Sequence, residues 1–349
     1  MSDWQQQPPG WQQQPREAEP PQGGFGSPPP PWDDAAPSRL DVGDLLRTAT
    51  RIVAGNFGVF AAVAFAATLP GLAISQYFAT RFQNRMFEFQ QTVLTDPGTI
   101  PDFSQFLSPA HIGGLCLGTL VSFTLMYLAQ AVLVYDVIEN LAGRRPPIGQ
   151  AIGVGMARAP AVLVSAFLLT LVLTAAVVPG ALLGVLVIAG GMSVGPGAGG
   201  LATCCGGPLM LLGMLVPTFY AYLVFFVTVP AAVVEDVSPV GALARSFELT
   251  KGQRWRIFLA VMAFMLVIFV SSCIGGACSG ALGGGGGIDP ATGALKAPST
   301  FGMVVGFLAQ LVAQTLQTMG IAALAGVTYA RIRGVRDGVD AQALAEVFS

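Results

Sequence analysis

Charged residues are missing from five long stretches of the chain, and this pattern predicts membrane-spanning helices. No charged side chain occurs between Arg158 and Glu235, and four further stretches without charge cover 52–80, 103–135, 257–288 and 297–330. A transmembrane helix needs about 20 apolar residues. The longest stretch therefore fits two crossings joined by a Gly-rich turn, and each of the others fits one. The pattern predicts an all-α membrane protein with six transmembrane helices, at about 57–78, 112–135, 161–189, 208–234, 257–278 and 301–330.

The composition agrees with a membrane protein and argues against binding to nucleic acid. The chain is 53% hydrophobic and 10% charged, whereas a typical soluble domain is about 25% charged. The formal net charge is −2, and nucleic acid calls for a basic surface. We therefore expect membrane lipids as partners and no nucleic acid.

Lysine and arginine are distributed unequally between the two sides of the predicted bundle. Fourteen of the 17 lie on the side that carries both termini. Only Arg81, Arg85 and Lys296 lie on the other side. Because basic loops stay on the cytoplasmic side of a membrane, both termini are expected in the cytoplasm.

Residues 1–37 differ in composition from the rest of the chain. Pro, Gln and Gly dominate this segment, and it has no apolar stretch of the kind that a signal peptide requires. The composition predicts a disordered cytoplasmic tail. The sequences WQQQPPG, WQQQPRE and PPPPW could bind a protein partner as polyproline ligands, but we favour a solvated tail. The membrane domain would cover 38–335, followed by a short cytoplasmic segment at 336–349.

Three similar segments precede the odd-numbered spans and predict a three-fold internal repeat. They read DVGDLLRT from Asp41, PIGQAIGV from Pro147 and PVGALARS from Pro239. Each is expected to form an amphipathic elbow helix that lies in the membrane interface. Asp41 and Ser238 are expected to cap the first and third of these helices. The residues placed to contact lipid headgroups are Arg47, Arg51, Arg245, Lys251, Arg254 and Trp255.

The segment VEDVSPVGALARSFELTKGQRWRIF at 234–258, together with GRRPPIGQA at 143–151, resembles a known family. It is similar to the membrane domain found beside some bacterial glycerophosphodiester phosphodiesterases and to stand-alone multi-pass relatives of that domain. The resemblance implies a multi-pass protein of the bacterial cytoplasmic (inner) membrane. It implies no enzyme, because the catalytic barrel of that family is a separate soluble domain that uses His and several carboxylates with a metal. This chain has one histidine, and Phe247 stands where a Trp is more usual.

Acidic residues close two of the predicted spans at the cytoplasmic rim. Asp136 and Glu139 end the second span, and Glu235 ends the fourth. We expect Glu235 to pair with an elbow arginine, either Arg245 or Arg254. The remaining basic groups could bind anionic lipid, at about 1 kcal/mol each. The alternative is that these charges only set the topology.

Glutamines form a polar face on the sixth span. Gln310, Gln314 and Gln317 share one side of a helix, and Gln130 lies at a similar depth in the second span. One interpretation is a polar pathway for a solute. The other, which we favour on sequence grounds, is hydrogen bonding between helices, worth about 1 kcal/mol or less per contact.

The five cysteines map to the non-cytoplasmic half of the chain. A disulfide from Cys204 or Cys205 to Cys273 or Cys278 is one expectation, and packing as small apolar side chains is the other. Their spacing is unusual for zinc. His111 has only Asp102 nearby in sequence, so we expect a structural or exposed role.

Two functions follow from these observations. The first is a non-catalytic scaffold or lipid-associated membrane module, and the alternative is a permease or channel for a small solute. An enzyme is not expected, because the sequence has no H-E-x-x-H motif and no acid pair within a span; no cofactor is expected either. The glutamine face separates the two functions, since a permease needs it hydrated and a scaffold needs it packed dry.

Overall fold

The computed structural model describes residues 40–95, 109–194, 196–235, 237–281, 287–288, 295–296, 299–339 and 341–348. The predicted tail at 1–37 lies outside these residues. The helices, in chain order, are α1 (Val42–Gly55), α2 (Phe57–Thr95), α3 (Pro109–Leu141), α4 (Ile148–Ala157), α5 (Ala159–Val194), α6 (Pro196–Val224), α7 (Thr228–Val234), α8 (Pro239–Thr250), α9 (Arg254–Ala281), α10 (Thr300–Asp337) and α11 (Ala341–Glu346). Two short strands, β1 (Gly287–Ile288) and β2 (Leu295–Lys296), pair antiparallel between α9 and α10.

Six helical segments in the described part of the chain are long and apolar enough to cross a membrane, which confirms a multi-pass membrane protein. They match the six predicted spans in order, but several helices extend further than predicted. The first span was expected to end near residue 78, yet α2 contains 39 residues and continues to Thr95. Hydropathy marks only the apolar part of a helix, and α2 continues as a polar helix beyond it.

The fourth span is interrupted at 225–227, which separates α6 from α7. Helical structure continues through Pro179 of α5 and Pro217 of α6. The interruption leaves the carbonyl of Val224 without a partner in its own helix. Ser246 Oγ and Thr250 Oγ1, both on α8, donate to that carbonyl at 3.0 and 3.1 Å. The break in the span is therefore stabilised by a neighbouring short helix.

The three short helices α1, α4 and α8 occur where the repeated segments predict them. Asp41 caps α1 by accepting from the Asp44 amide at 3.0 Å, and Ser238 caps α8 by accepting from the Gly241 amide at 3.2 Å. Both predicted caps are confirmed. Pro147 precedes α4 without a side-chain cap.

The long helices pack as consecutive pairs. Helices α4 and α8 each pack against the pair that precedes them in the chain, and α1 packs against the last pair. The pairs are α2 with α3, α5 with α6, and α9 with α10. Helix α4 packs on α3, α8 packs on α5 and α7, and α1 packs on α9 and α10. Helix α10 also contacts α2 and α3, so it lies at the centre of the described structure.

The best-packed part of the bundle lies at one end. We name this the basic end; it contains α1, α8 and the final turns of α10 with their arginines. In α10 the residues from Ala322 to Ala330 are all buried, and in α3 so are those from Ala129 to Glu139. The opposite end, here the far end, contains the N-terminal half of α10, which is more open. The bundle is therefore closed at the basic end.

Glycines allow the closest approach between two of the helix pairs. A Cβ placed on Gly71 of α2 would lie 2.6 Å from the Cα of Ser122 on α3. A Cβ on Gly180 of α5 would collide with the backbone of Gly213 and Met214 on α6. Small residues at such crossings let helices associate in lipid, where no hydrophobic force drives them together.

Replacing Gly180 with alanine is predicted to separate α5 from α6. The added methyl group would meet backbone atoms that cannot rotate away, and overpacking of this kind costs about 1–3 kcal/mol. We expect a lower thermal unfolding midpoint for the full-length protein in mild detergent. The matched control is Gly207→Ala on α6, where the new Cβ has no atom within 4 Å. Equal midpoints for the two variants would contradict the close crossing.

Candidate functional site

Glu235, directly after α7, is the centre of a polar cluster at the basic end. Its side chain is 12% exposed. The carboxylate accepts hydrogen bonds from Arg245 Nε at 3.0 Å, from the Tyr329 hydroxyl at 2.8 Å and from Arg333. These donors come from α8 and α10, so one carboxylate joins three helices.

Asp337 converts this cluster into a closed ring of charges. Its Oδ2 lies 2.6 Å from Arg245 Nη2 and 2.8 Å from Arg333 Nε. We name Glu235, Arg245, Arg333 and Asp337 the Glu235 ring. It contains two acids and two guanidinium groups, and each acid contacts both cations. The ring is therefore neutral, and it holds the end of α10 against α7 and α8.

The electrostatic surroundings keep Arg245 charged. Partial burial alone would lower its pKa, but the nearby carboxylates of Glu235 and Asp337 outweigh burial and raise the pKa above its ordinary value. The neighbouring residue Ser246 donates a hydrogen bond to the Val224 carbonyl at the break in the fourth span. The Arg245-Ser246 pair therefore anchors α8 through ionic contacts of Arg245 with two acids and a hydrogen bond from Ser246.

The sequence identifies part of this ring and misses the rest. It names Arg245 and Arg254 as candidate partners of Glu235. The structure brings Arg245 to Glu235, whereas Arg254 donates to the Tyr220 hydroxyl and lies over the Phe247 ring at 4.8 Å. The missed members, Tyr329, Arg333 and Asp337, are spaced four residues apart along α10. That spacing marks a polar stripe, but only tertiary structure shows what the stripe contacts.

The other rim acids form a separate cluster at the end of α3. Asp136 and Glu139 are both buried. Asn140 Nδ2 donates to Asp136 Oδ2 at 3.1 Å, and Asn140 Oδ1 in turn accepts from Asn56 Nδ2 at 2.6 Å. Glu139 lies 4.0 Å from Arg144. This cluster connects the start of the first span to the end of the second.

Most of the residues expected to meet lipid headgroups are exposed at the basic end. Arg47, Arg51 and Lys251 are exposed, and none has an acidic partner among the described residues. Trp255 is 68% exposed and stacks on Phe258 with ring centroids 4.8 Å apart. These four side chains differ from Arg245, which is committed to the ring.

The glutamine face of α10 lines a cavity of about 500 Å³ in the far half of the bundle. Gln310, Gln314 and Gln317 all border it, and Gln76 and Gln83 of α2 face them across the space. Ser272 and glycines of α9 complete the walls. Gln130 is buried on α3 and is not part of the lining.

The side chains of the five lining glutamines have no hydrogen-bond partner in the described part of the chain. Among the described residues, none of their carboxamide groups donates to or accepts from another group. The favoured interpretation of Gln310, Gln314 and Gln317 as hydrogen-bonded links between helices therefore finds no support in the structure. Below Gln317 the helix enters the packed half of the bundle, where Met319 and Ala322 are buried, so the cavity ends there.

The cysteine predictions fall partly outside the described residues. Cys273 and Cys278 are free and exposed in the structure, which gives no support to a bridge from either. The side chains of Cys204, Cys205 and His111 lie outside the described part, so the bridge from Cys204 or Cys205 to Cys273 or Cys278 stays a prediction. Among the described residues, no three His, Cys, Asp or Glu side chains are grouped to hold a metal ion.

No protein-family model, curated protein or solved structure matches the chain. The resemblance to the membrane domain that accompanies glycerophosphodiester phosphodiesterases therefore stays a prediction. The structure nevertheless gives a physical role to the residues that carry the resemblance, because Arg245 and Ser246 fix α8 to the bundle.

A double-mutant cycle tests the Glu235–Arg245 contact. Glu235→Gln and Arg245→Gln each remove one charge from the ring and leave an excess of the opposite charge. Each is therefore expected to lower the unfolding free energy by about 2–3 kcal/mol. Their coupling energy should exceed about 1 kcal/mol. A charge swap is a poorer test, because it would place an arginine at position 235 beside Arg333.

The control for this cycle is Arg47→Gln, which changes the equivalent arginine of the first repeated segment. Arg47 is exposed and has no acidic partner among the described residues, so its replacement should change stability by less than about 0.5 kcal/mol. Additive effects of the two ring variants, measured by thermal or denaturant unfolding in detergent, would contradict a coupled ring.

Proposed function

We propose that this chain is a permease-type membrane protein that takes up a small uncharged polar solute in its glutamine-lined cavity. One observation carries the proposal: five carboxamide groups face a cavity of about 500 Å³ between membrane spans without a partner among the residues that the structure describes. A hydrated solute pathway requires polar groups that are open to a cavity in this way. A scaffold would have these groups packed against neighbouring helices.

The energetics of the cavity support an occupant that forms hydrogen bonds. A polar group in hydrocarbon costs several kcal/mol if it is left unsatisfied. Each carboxamide offers two N–H donors and a carbonyl acceptor. Water or a polar solute must therefore meet these groups.

The lining also indicates which solutes fit. It contains no charged side chain among the described residues, and a charged solute would need a counter-charge to offset its desolvation. Carboxamides bind hydroxyl and amide groups equally well as donors and as acceptors. A small polyol, sugar or amide matches this chemistry better than a carboxylate or an amine.

The closed basic end supports a pathway that opens from one side at a time. The cavity reaches the middle of α10, and the residues beyond Gln317 are packed. The Glu235 ring lies still further along α10 and holds its end in place. Passage of a solute would require α10 to separate from α7 and α8, and the ring contacts would then have to break.

The packing of the short helices supports the proposed three-fold repeat. Helix α4 packs on the first helix pair, α8 on the second and α1 on the third. Each short helix therefore contacts the pair of the preceding repeat, if the third repeat is counted as preceding the first. If both termini are cytoplasmic, the basic end faces the cytoplasm and the cavity opens to the other side. The three short helices would then lie as elbows in the inner interface.

A lipid-associated scaffold is the second candidate function. The observation in its favour is the set of exposed groups at the basic end, where Arg47, Arg51 and Lys251 lack acidic partners among the described residues and Trp255 is largely exposed. Such groups suit the headgroup region of a membrane. This candidate leaves the glutamine-lined cavity without a role, and we therefore place it second.

Hydration of the cavity is tested by cysteine accessibility in a version with all five native cysteines replaced. Gln314→Cys should react with a membrane-impermeant maleimide added from the far side, because thiolates form only in water. The matched control is Val312→Cys on the same helix, since Val312 is 59% exposed but lines an apolar groove. We expect labelling at least about tenfold faster at position 314. Equally slow labelling at both positions would show a dry cavity and favour the scaffold.

Solute passage is tested in liposomes that contain the full-length protein. A small neutral polyol should enter faster than a carboxylate or an amine of similar size, and the double variant Gln310→Leu/Gln314→Leu should slow that entry at least about fivefold. The control is Gln150→Leu on α4, where the glutamine is exposed and far from the cavity lining. Labelling at position 314 without any flux would show a hydrated cavity and would contradict transport of the solutes tested.

A further inference from the structure

A second groove, of different character, lies between α1 and the α9–α10 pair. Its volume is about 270 Å³. Phe57, Phe264, Val267, Leu316 and Leu324 are among its walls, and its few polar groups are the hydroxyls of Thr50 and Ser271. The groove is therefore almost entirely apolar.

The position of the groove places it within the membrane. Its α9 residues run from Phe264 to Ser271 and its α10 residues from Leu316 to Leu324, and both stretches lie inside candidate spans. Helix α1 covers the end of the groove nearest the basic end with Leu46, Ala49 and Val53. An acyl chain of the bilayer is in contact with such a surface at all times.

Two arginines stand beside the covered end. Arg47 precedes the lining residues Thr50 and Ala54 by three and seven positions, so the three share one side of α1. Arg51 follows Arg47 by one helical turn. Both arginines are exposed and have no acidic partner among the described residues. The one acid within α1, Asp44, is held by Arg331 at 2.7 Å.

We propose that this groove and these arginines form a binding site for one anionic phospholipid. One acyl chain would occupy the groove, and the phosphate would lie against Arg47 and Arg51. Arginine suits this role because its planar guanidinium donates two parallel hydrogen bonds to a phosphate. The site is separate from the glutamine-lined cavity, so it does not depend on solute uptake.

Two features favour a lipid over a protein segment as the occupant. A helix from a partner would need hydrogen-bonding or small-residue contacts, whereas the α9 and α10 walls carry large apolar side chains such as Phe264 and Leu316. The positive charge also lies at one end of the apolar surface and not along it. That arrangement matches a molecule with an anionic head and an apolar tail.

The site is tested by native mass spectrometry of the full-length protein in nanodiscs that contain phosphatidylglycerol and phosphatidylcholine with identical acyl chains. We expect phosphatidylglycerol to remain bound preferentially. Arg47→Gln/Arg51→Gln should weaken its retention about fivefold per arginine, which corresponds to about 1 kcal/mol each. Val267→Trp, which fills the groove, should weaken retention of both lipids.

Matched controls separate this site from general attraction between basic residues and anionic lipid. Arg81→Gln/Arg145→Gln removes the same charge from exposed positions outside the groove and should leave retention unchanged. Val270→Trp adds the same bulk on α9 at an exposed position that does not line the groove. An equal loss in the paired controls, or full retention in Arg47→Gln/Arg51→Gln or in Val267→Trp, would overturn the proposal. Unfolding midpoints measured for every variant show whether a loss comes from misfolding.

Discussion

Hydrocarbon offers no hydrogen-bond partner, so each polar group that this chain carries into the membrane must be satisfied within the protein or by something bound to it. The backbone meets this requirement with helices. Several hydroxyl groups meet it within their own helices: Thr68, Ser165 and Thr315 each donate to the carbonyl four residues earlier. The break in the fourth span frees one carbonyl, and α8 supplies two hydroxyls to it. The same constraint makes the cavity glutamines informative, because nothing on the described protein satisfies them.

The acidic side chains at the basic end are subject to the same constraint, and each one is partnered in a different way. Glu235 is nearly buried and is surrounded by three donors, so its charge is balanced locally. Asp136 is buried beside an asparagine pair. Such clusters, in which each acid has a partner on the protein, fix helices relative to one another. Groups that are charged and not balanced, such as Arg47, are the better candidates for binding.

The sequence predicts the parts of this structure that depend on local pattern. Hydropathy locates the six spans, and the residues Asp41 and Ser238 locate the starts of two short helices, because a capping side chain acts within three residues of its own position. The Glu235 ring is only half predictable. Arg245 lies ten residues from Glu235, whereas Arg333 and Asp337 are about a hundred residues away, and no local pattern brings them together. The glutamine face illustrates another limit: periodicity shows that Gln310, Gln314 and Gln317 share a side of α10, but it cannot show whether that side meets a helix or a cavity.

The first and third repeated segments have the same arginine in different surroundings. Arg245 meets two acids, Glu235 and Asp337, because α8 packs where the fourth and sixth spans end. Arg47 contacts no acid among the described residues. Helix α1 also packs on the sixth span, but there the short helix supplies the acid, Asp44, and the span supplies the base, Arg331. One copy therefore uses its arginine to hold the bundle together. The first segment is attached to the bundle through its acid, Asp44. Arg47 and Arg51 are therefore available to a phosphate of the surrounding membrane. A shared sequence pattern thus supports two different roles, and the charge on the partner helix decides which role each copy takes.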